Sequence, residues 1–144
     1  MVCPDHLLNA LKKVQDTNVI CPAVISQYAA LGAMQAGRAY CEPFVSEMAT
    51  VRQSVLDALG SLGDRIRVVK PMGAFYVLIQ MPGCRLDDLT LARRLIEEYR
   101  VATVPGQAFG STDPCCLRVS YGALQAATVI DGIGRLAEGL ACLA

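Results

Sequence analysis

The sequence predicts an α+β fold: an N-terminal helical arm and a long connecting helix, followed by a small mixed β-sheet covered by helices. Three observations lead there. Apolar residues recur at steps of three and four through roughly the first sixty positions. From Ile66 the period shortens to two. Beyond that point strand-like runs alternate with two more helical patterns, giving the order α-α-α-β-β-α-β-β-α.

The first helix is read from "PDHLLNALKKV" (residues 4–14), where Pro4 suits a first-turn position, Leu7, Leu11 and Val14 share a face, and "QDTN" ends the pattern. In "PAVISQYAALGAMQAG" (residues 22–37) apolar or small residues occupy nearly every face, so this helix needs cover on all sides. "EPFVSEMATVRQSVLDALGSLG" (residues 42–63) sets Phe44, Met48, Val51, Val55, Leu59 and Leu62 at helical steps and closes on Gly60 and Gly63. "IRVV" and "AFYVLIQM" read as strands joined by "KPMG", the second apolar on both alternating sets and therefore central. "DDLTLARRLIEEYR" is a helix capped by Asp87 or Asp88, with Leu89, Ala92, Leu95, Ile96 and Tyr99 inward. "VATV" and "CLRVSY" supply two more strands. "LQAATVIDGIGRLAEGL" closes the chain as a helix despite Gly132, Gly134 and Gly139, each costing about 1 kcal/mol relative to Ala. Two segments follow: residues 1–40, helical and needing a further surface to pack on, and residues 41–144, an α+β domain that includes the long helix.

Composition narrows the function. A chain of 144 residues with 53% hydrophobic content can fill one sizeable core. Thirteen basic and thirteen acidic residues are scattered without a run of one sign, so the patch that nucleic acid or an anionic membrane selects is missing. No apolar run approaches the roughly 20 residues that span a bilayer, and "MVCPDHLLNA" lacks the features of a signal peptide, which predicts a cytoplasmic protein. The seven cysteines (Cys3, Cys21, Cys41, Cys84, Cys115, Cys116, Cys142) are odd in number, irregularly spaced and never C-x-x-C. That pattern predicts buried or half-buried thiols and no metal site.

Candidate chemistry is sparse. In "CLRVSY" the period of two puts Leu117, Val119 and Tyr121 on one face and Arg118 with Ser120 on the other. Arg118 is then either a solvated side chain or a fork that binds a carboxylate bidentately, and spacing leaves both open. "PGQAFG" runs from strand toward strand and so lacks the strand–loop–helix setting of a phosphate cradle. The carboxylates Asp87, Asp88, Glu97 and Glu98 belong to a cap and a solvated helix face. His6 has no pairing carboxylate and reads as solvent-facing. None of Lys12, Lys13 and Lys70 has the setting of a Schiff-base lysine.

Taken together and in order, "KVQDTNVICPAVISQYAALGA", "VVKPMGAFYVLI", "ARRLIEEYRVATVPGQAFG" and "LRVSYG" resemble the C-terminal part of a pyridoxal-phosphate-dependent class I/II aminotransferase of the aspartate aminotransferase family. The pairing of P-x-G-A-F-Y with V-P-G-x-x-F-G…L-R-V-S-Y is the specific part, and the similarity runs over residues 4–140. The resemblance implies the family's small domain with its connecting helices, the first 40 residues packing on a large domain. It implies that Arg118 pairs with the α-carboxylate of the substrate, that Phe109 and Gly106 line the cleft, and that Thr17 and Asn18 approach the partner subunit's cofactor.

The implied reaction exchanges an amino group between an amino acid and a 2-oxo acid through pyridoxal 5'-phosphate, in a cytoplasmic homodimer. The family's aldimine lysine is expected upstream, so this chain alone is expected to bind no cofactor covalently and to be inactive. The alternatives are a non-catalytic ligand-binding or dimerisation module, or a truncated pseudoenzyme of the same family.

Overall fold

The computed structural model describes residues 2–112, 115–122 and 125–144. The chain divides into two compact units, Met1–Pro43 and Phe44–Ala144. The first holds α1 (Leu8–Asn18), which follows a 3-10 turn at Asp5–Leu7, and α2 (Val24–Ala36). Neither helix has a buried residue. Helix α2, apolar on nearly every face, is exposed on all of them: Ile25, Tyr28 and Met34 each keep 70% or more of their surface. Gly37, in a left-handed conformation, ends it.

Helix α3 (Arg38–Gly60) begins four residues before the expected Glu42, so that Pro43 lies inside it and not in its first turn. Pro43 has no N–H to give to the carbonyl four residues back, which weakens the helix at that point. The division between the units falls there. Val51, Val55 and Leu59 are buried as the spacing predicts, Met48 and Leu62 are half-buried, and Phe44 is exposed.

In the second unit four strands form one sheet in the order β1-β2-β4-β3: β1 (Arg67–Val68), β2 (Tyr76–Gln80), β3 (Val104–Pro105) and β4 (Cys116–Ser120). Every neighbouring pair is antiparallel, which corrects the expectation of a mixed sheet. Strands β2 and β3 flank helix α4 (Asp88–Tyr99) in sequence and run the same way, but β4 inserts between them. What would have been a parallel pair becomes two antiparallel ones. Strand β2 is interior, as its double-sided apolar pattern predicts.

One face of this sheet carries the core. Val77, Ile79, Leu117 and Val119 pack with the α3 stripe, with Leu91 and Leu95 of α4, and with Ile133, Leu136 and Leu140 of α5 (Ala126–Leu143). Gly139 has a packing reason: a Cβ there would stand 2.6 Å from Leu95 Cδ2, so the glycine permits α4 and α5 to approach closely. Leu124, the first residue of the closing helix expected from sequence, lies outside the described residues.

Asp87 is the cap of α4, accepting from Thr90 N at 2.8 Å and from Thr90 Oγ1 at 2.7 Å. The buried stripe of α4 differs from the sequence reading. Leu89 and Ile96 are exposed, whereas Asp88, Leu91, Ala92 and Leu95 are buried. The stripe takes its phase from the sheet and α5 behind it, and that phase carries an aspartate inward.

Candidate functional site

The register of β4 sets up the site. Arg118 stands opposite Leu78 of β2 on one side and Val104 of β3 on the other, in mid-sheet, on the face that the helices leave uncovered. Its neighbours on that face are Tyr76, paired with Ser120, and Gln80, paired with Cys116. Tyr76 and Leu78 each remain 42% exposed. Arg118 therefore projects where the alternation places it, away from the core.

A turn folds over part of this face. Strand β3 runs directly into a 3-10 turn, Gly106–Phe109, closed by Ser111 N donating to Gly106 O at 3.2 Å and Gly110 N donating to Gln107 O at 3.1 Å. Gly106 lies flat on β4: a Cβ would stand 2.7 Å from Cys116 Cβ, closer than real side chains approach. Only glycine lets the turn settle there, and the settling buries Cys116. The turn then brings the Phe109 ring over the guanidinium, 4.3 Å from Arg118 Cζ to the ring centroid. The Tyr76 ring lies 5.2 Å from the same carbon.

These contacts hold the guanidinium in a defined environment. Each cation–π contact is worth about 0.5–1 kcal/mol at a partly exposed site. Arg118 Nε is buried and, among the described residues, has no hydrogen-bond partner. The side chain as a whole stays half-exposed. Among the described residues no carboxylate makes an ion pair with Arg118; the pairs present are Arg38–Glu42, Arg94–Glu98 and Arg135–Asp131. A planar, fixed cation, dry at one edge and open beyond it, is suited to take a carboxylate in parallel hydrogen bonds to its terminal nitrogens.

Of the residues singled out in the sequence, Arg118, Phe109 and Gly106 come together in the second unit. Thr17 and Asn18 lie in the first, exposed in the last turn of α1, with the Thr17 hydroxyl donating to Lys13 O at 2.9 Å. Lys12, Lys13, Lys70 and His6 are exposed. None of the seven cysteines forms a disulfide; Cys21, Cys41 and Cys142 are exposed, which corrects the expectation that the thiols are at least half-buried. Burial, together with a hydrogen bond to Cys84, pushes the Cys115 thiol well above its ordinary pKa, as inert packing requires.

Two residues escaped the sequence reading. Tyr76 lies in the expected strand and also flanks the guanidinium. Asp88, expected in a cap or on a solvated helix face, is 5% exposed, its Oδ2 accepting from Gln107 N at 2.8 Å. The signal for Asp88 was available: it stands three and seven residues before Leu91 and Leu95, in the phase of the buried stripe. A separate cavity of about 120 Å³, bounded by Glu47, Met48, Val51 and Tyr121 among others, does not include Arg118.

A family model described as aminotransferase class I and II matches residues 1–136. An aromatic aminotransferase of Arabidopsis thaliana is 35% identical over 136 residues, covering 94% of this chain and 34% of that protein. An aspartate aminotransferase of Thermotoga maritima is 32% identical over 140 residues, covering 97% of this chain and 32% of that protein. The solved structure of an aromatic aminotransferase from Pyrococcus horikoshii matches with a TM-score of 0.77 at 29% identity, over 95% of this chain and 36% of that one. The chain thus spans about a third of the length of the curated relatives it matches.

Proposed function

The chain belongs to the class I and II aminotransferases, and on that premise we propose that it supplies the substrate-carboxylate site of a pyridoxal-phosphate-dependent transaminase, with Arg118 as the binding group. The observation that carries this reading is the state of Arg118: mid-sheet on the uncovered face, flanked by Phe109 and Tyr76, with Nε buried and unpartnered among the described residues.

The chemistry of the site follows from geometry. Two parallel hydrogen bonds from the terminal nitrogens fix both oxygens of a carboxylate, and so fix the direction of the Cα beyond it. Phe109 covers one approach and limits water around the ion pair, which strengthens the attraction. Gly106 keeps the turn low enough on β4 for Phe109 to reach. The recognised group is the carboxylate common to amino acids and 2-oxo acids, so one site serves both half-reactions.

The cofactor, when bound, supplies the electron sink that makes the Cα–H bond acidic. The described residues of this chain do not themselves make its anchor, since Lys12, Lys13 and Lys70 are all exposed. In the proposal the anchoring lysine belongs to a part of the enzyme outside these 144 residues, and the chain by itself does not transaminate. Residues 1–40 would pack on that part, and residues 41–144 would form the small domain. The wholly exposed apolar surface of α2 supports such a contact and a homodimeric enzyme, in which Thr17 and Asn18 would approach the partner subunit's cofactor. Seven cysteines that form no disulfide fit the proposed cytoplasmic setting.

Titration of the chain with pyruvate, followed by the Arg118 Nε–H resonance, tests the assignment. Because Nε is shielded from water, its proton should exchange slowly enough to observe. Pyruvate should move it saturably and the methyl ester of pyruvate should not. Equal movement with acid and ester, or none with either, would remove Arg118 from the carboxylate site.

A further inference from the structure

Asp88 is the residue for which the fold gives no reason of its own. Among the described residues it is the buried charged side chain, and a carboxylate taken out of water is costly unless its hydrogen bonds do something for the structure. Helix α4 does not need it, because Asp87 already provides the cap. The partner of Asp88 lies elsewhere in the chain: Oδ2 accepts from the backbone N–H of Gln107 at 2.8 Å, 19 residues away. Gln107 is the second residue of the turn that ends in Phe109, and Phe109 lies over Arg118.

The turn follows directly on β3, which pairs with β4. Gly106 presses on Cys116 at its start, and its own closing bonds run from Gly110 and Ser111 back to Gln107 and Gly106. Those bonds shape the turn without tying it to the rest of the domain. Asp88 adds a tie to α4, from the first turn of a helix whose Leu91 and Leu95 are fully buried.

We propose that Asp88 is a positioning residue for the carboxylate site: its buried carboxylate holds the Gly106–Phe109 turn against the domain, and so keeps the Phe109 ring over the Arg118 guanidinium. Asp88 touches neither the guanidinium nor a substrate, and acts through Gln107 and Phe109. The proposal rests on the reading of Arg118 as the carboxylate-binding group only for its functional half; the structural half stands without it.

The test uses the whole chain with Asp88→Leu, Asp88→Asn, Phe109→Ala and the double variant Asp88→Leu/Phe109→Ala. Leucine removes the acceptor while filling the space with apolar atoms; the Gln107 N–H loses its partner at a cost of up to about 1–3 kcal/mol, which the turn can relieve by lifting toward water, so the fold should survive. Asparagine keeps an acceptor oxygen. The readout is the Arg118 Nε–H resonance, which the nearby Phe109 ring shifts by its ring current. Asp88→Leu should move it toward its position in Phe109→Ala, Asp88→Asn should leave it near the wild type, and the double variant should match Phe109→Ala. Pyruvate should bind Asp88→Leu about three- to tenfold more weakly, the equivalent of one hydrogen bond, and the loss should vanish in the Phe109→Ala background.

If folded Asp88→Leu keeps the wild-type resonance, or if Asp88→Asn moves it as far as leucine does, the proposal is overturned. If Asp88→Leu fails to fold while Asp88→Asn folds with a displaced resonance, Asp88 is a structural residue and the proposal falls as well. Absence of pyruvate binding to the wild-type chain counts against Arg118 as the carboxylate site, and the resonance positions still decide whether Asp88 holds the turn.

Discussion

Leu117 and Arg118 are neighbours in β4, yet the first is fully buried against helices and the second is half-exposed beneath an aromatic ring. The same holds across the sheet, where Val77 and Ile79 are buried and Tyr76 and Leu78 are open. One face is closed by α3, α4 and α5 and carries the apolar burial. The other presents a fixed cation among partly exposed apolar groups. If Arg118 has the proposed role, stability and recognition are separated in this domain by a single residue step, so substitutions one position apart should fail in different ways.

The largest expected contrast lies between Leu117→Ala and Leu78→Ala. The first opens a cavity in a closed core and should cost about 2–5 kcal/mol, which for a domain of this size lowers Tm by upwards of about 10 °C. The second removes atoms already half in water and should cost about 1 kcal/mol or less. Thermal melts of the two variants measure the difference directly. Equal losses would mean that the open face is covered in solution, and the separation of roles would be lost.

Much of this division was legible in the sequence, and the reasons for the exceptions are physical. Alternation in "CLRVSY" is enough to set Arg118 against Leu117 and Val119, because a strand has only two faces. The α3 stripe from Val51 to Leu59 was equally plain. The phase of α4 was not, because "LTLARRLI" offers leucines and an isoleucine on more than one face, and only the surface behind the helix selects Leu91 over Leu89 and Ile96. Sheet direction was hidden for a related reason: a helix between two strands suggests a parallel pair, and nothing local announces that β4 will enter between them. Asp88 was overlooked because an acidic residue in a first helical turn already has an ordinary explanation, and its true partner is a backbone N–H in a distant turn.

A smaller effect should appear in acid, at the exposed cap of α4. Hydrogen bonds from Thr90 N and Thr90 Oγ1 hold the Asp87 carboxyl below its ordinary pKa. The folded value being the lower one, the contribution of the charged cap is complete above the ordinary carboxylate range and is lost as pH falls through the lowered value. Tm should therefore stay level down to about pH 5 and decline below about pH 4. Asp87→Asn keeps a capping oxygen that does not titrate, so its decline should be shallower. Identical slopes for the two proteins would assign the acid sensitivity to other groups.

Whether Arg118 serves recognition or stability is tested most directly by the kinetics of Arg118→Lys in the chain joined to an aminotransferase large domain. Lysine keeps the charge and loses the planar fork, so one of two oriented bonds disappears. The expected result is a fall of about ten- to hundredfold in kcat/KM for amino acids, corresponding to one charge-assisted hydrogen bond, with cofactor absorbance and Tm nearly unchanged. Undiminished kcat/KM with a lowered Tm would contradict the account and make Arg118 a structural residue of the open face.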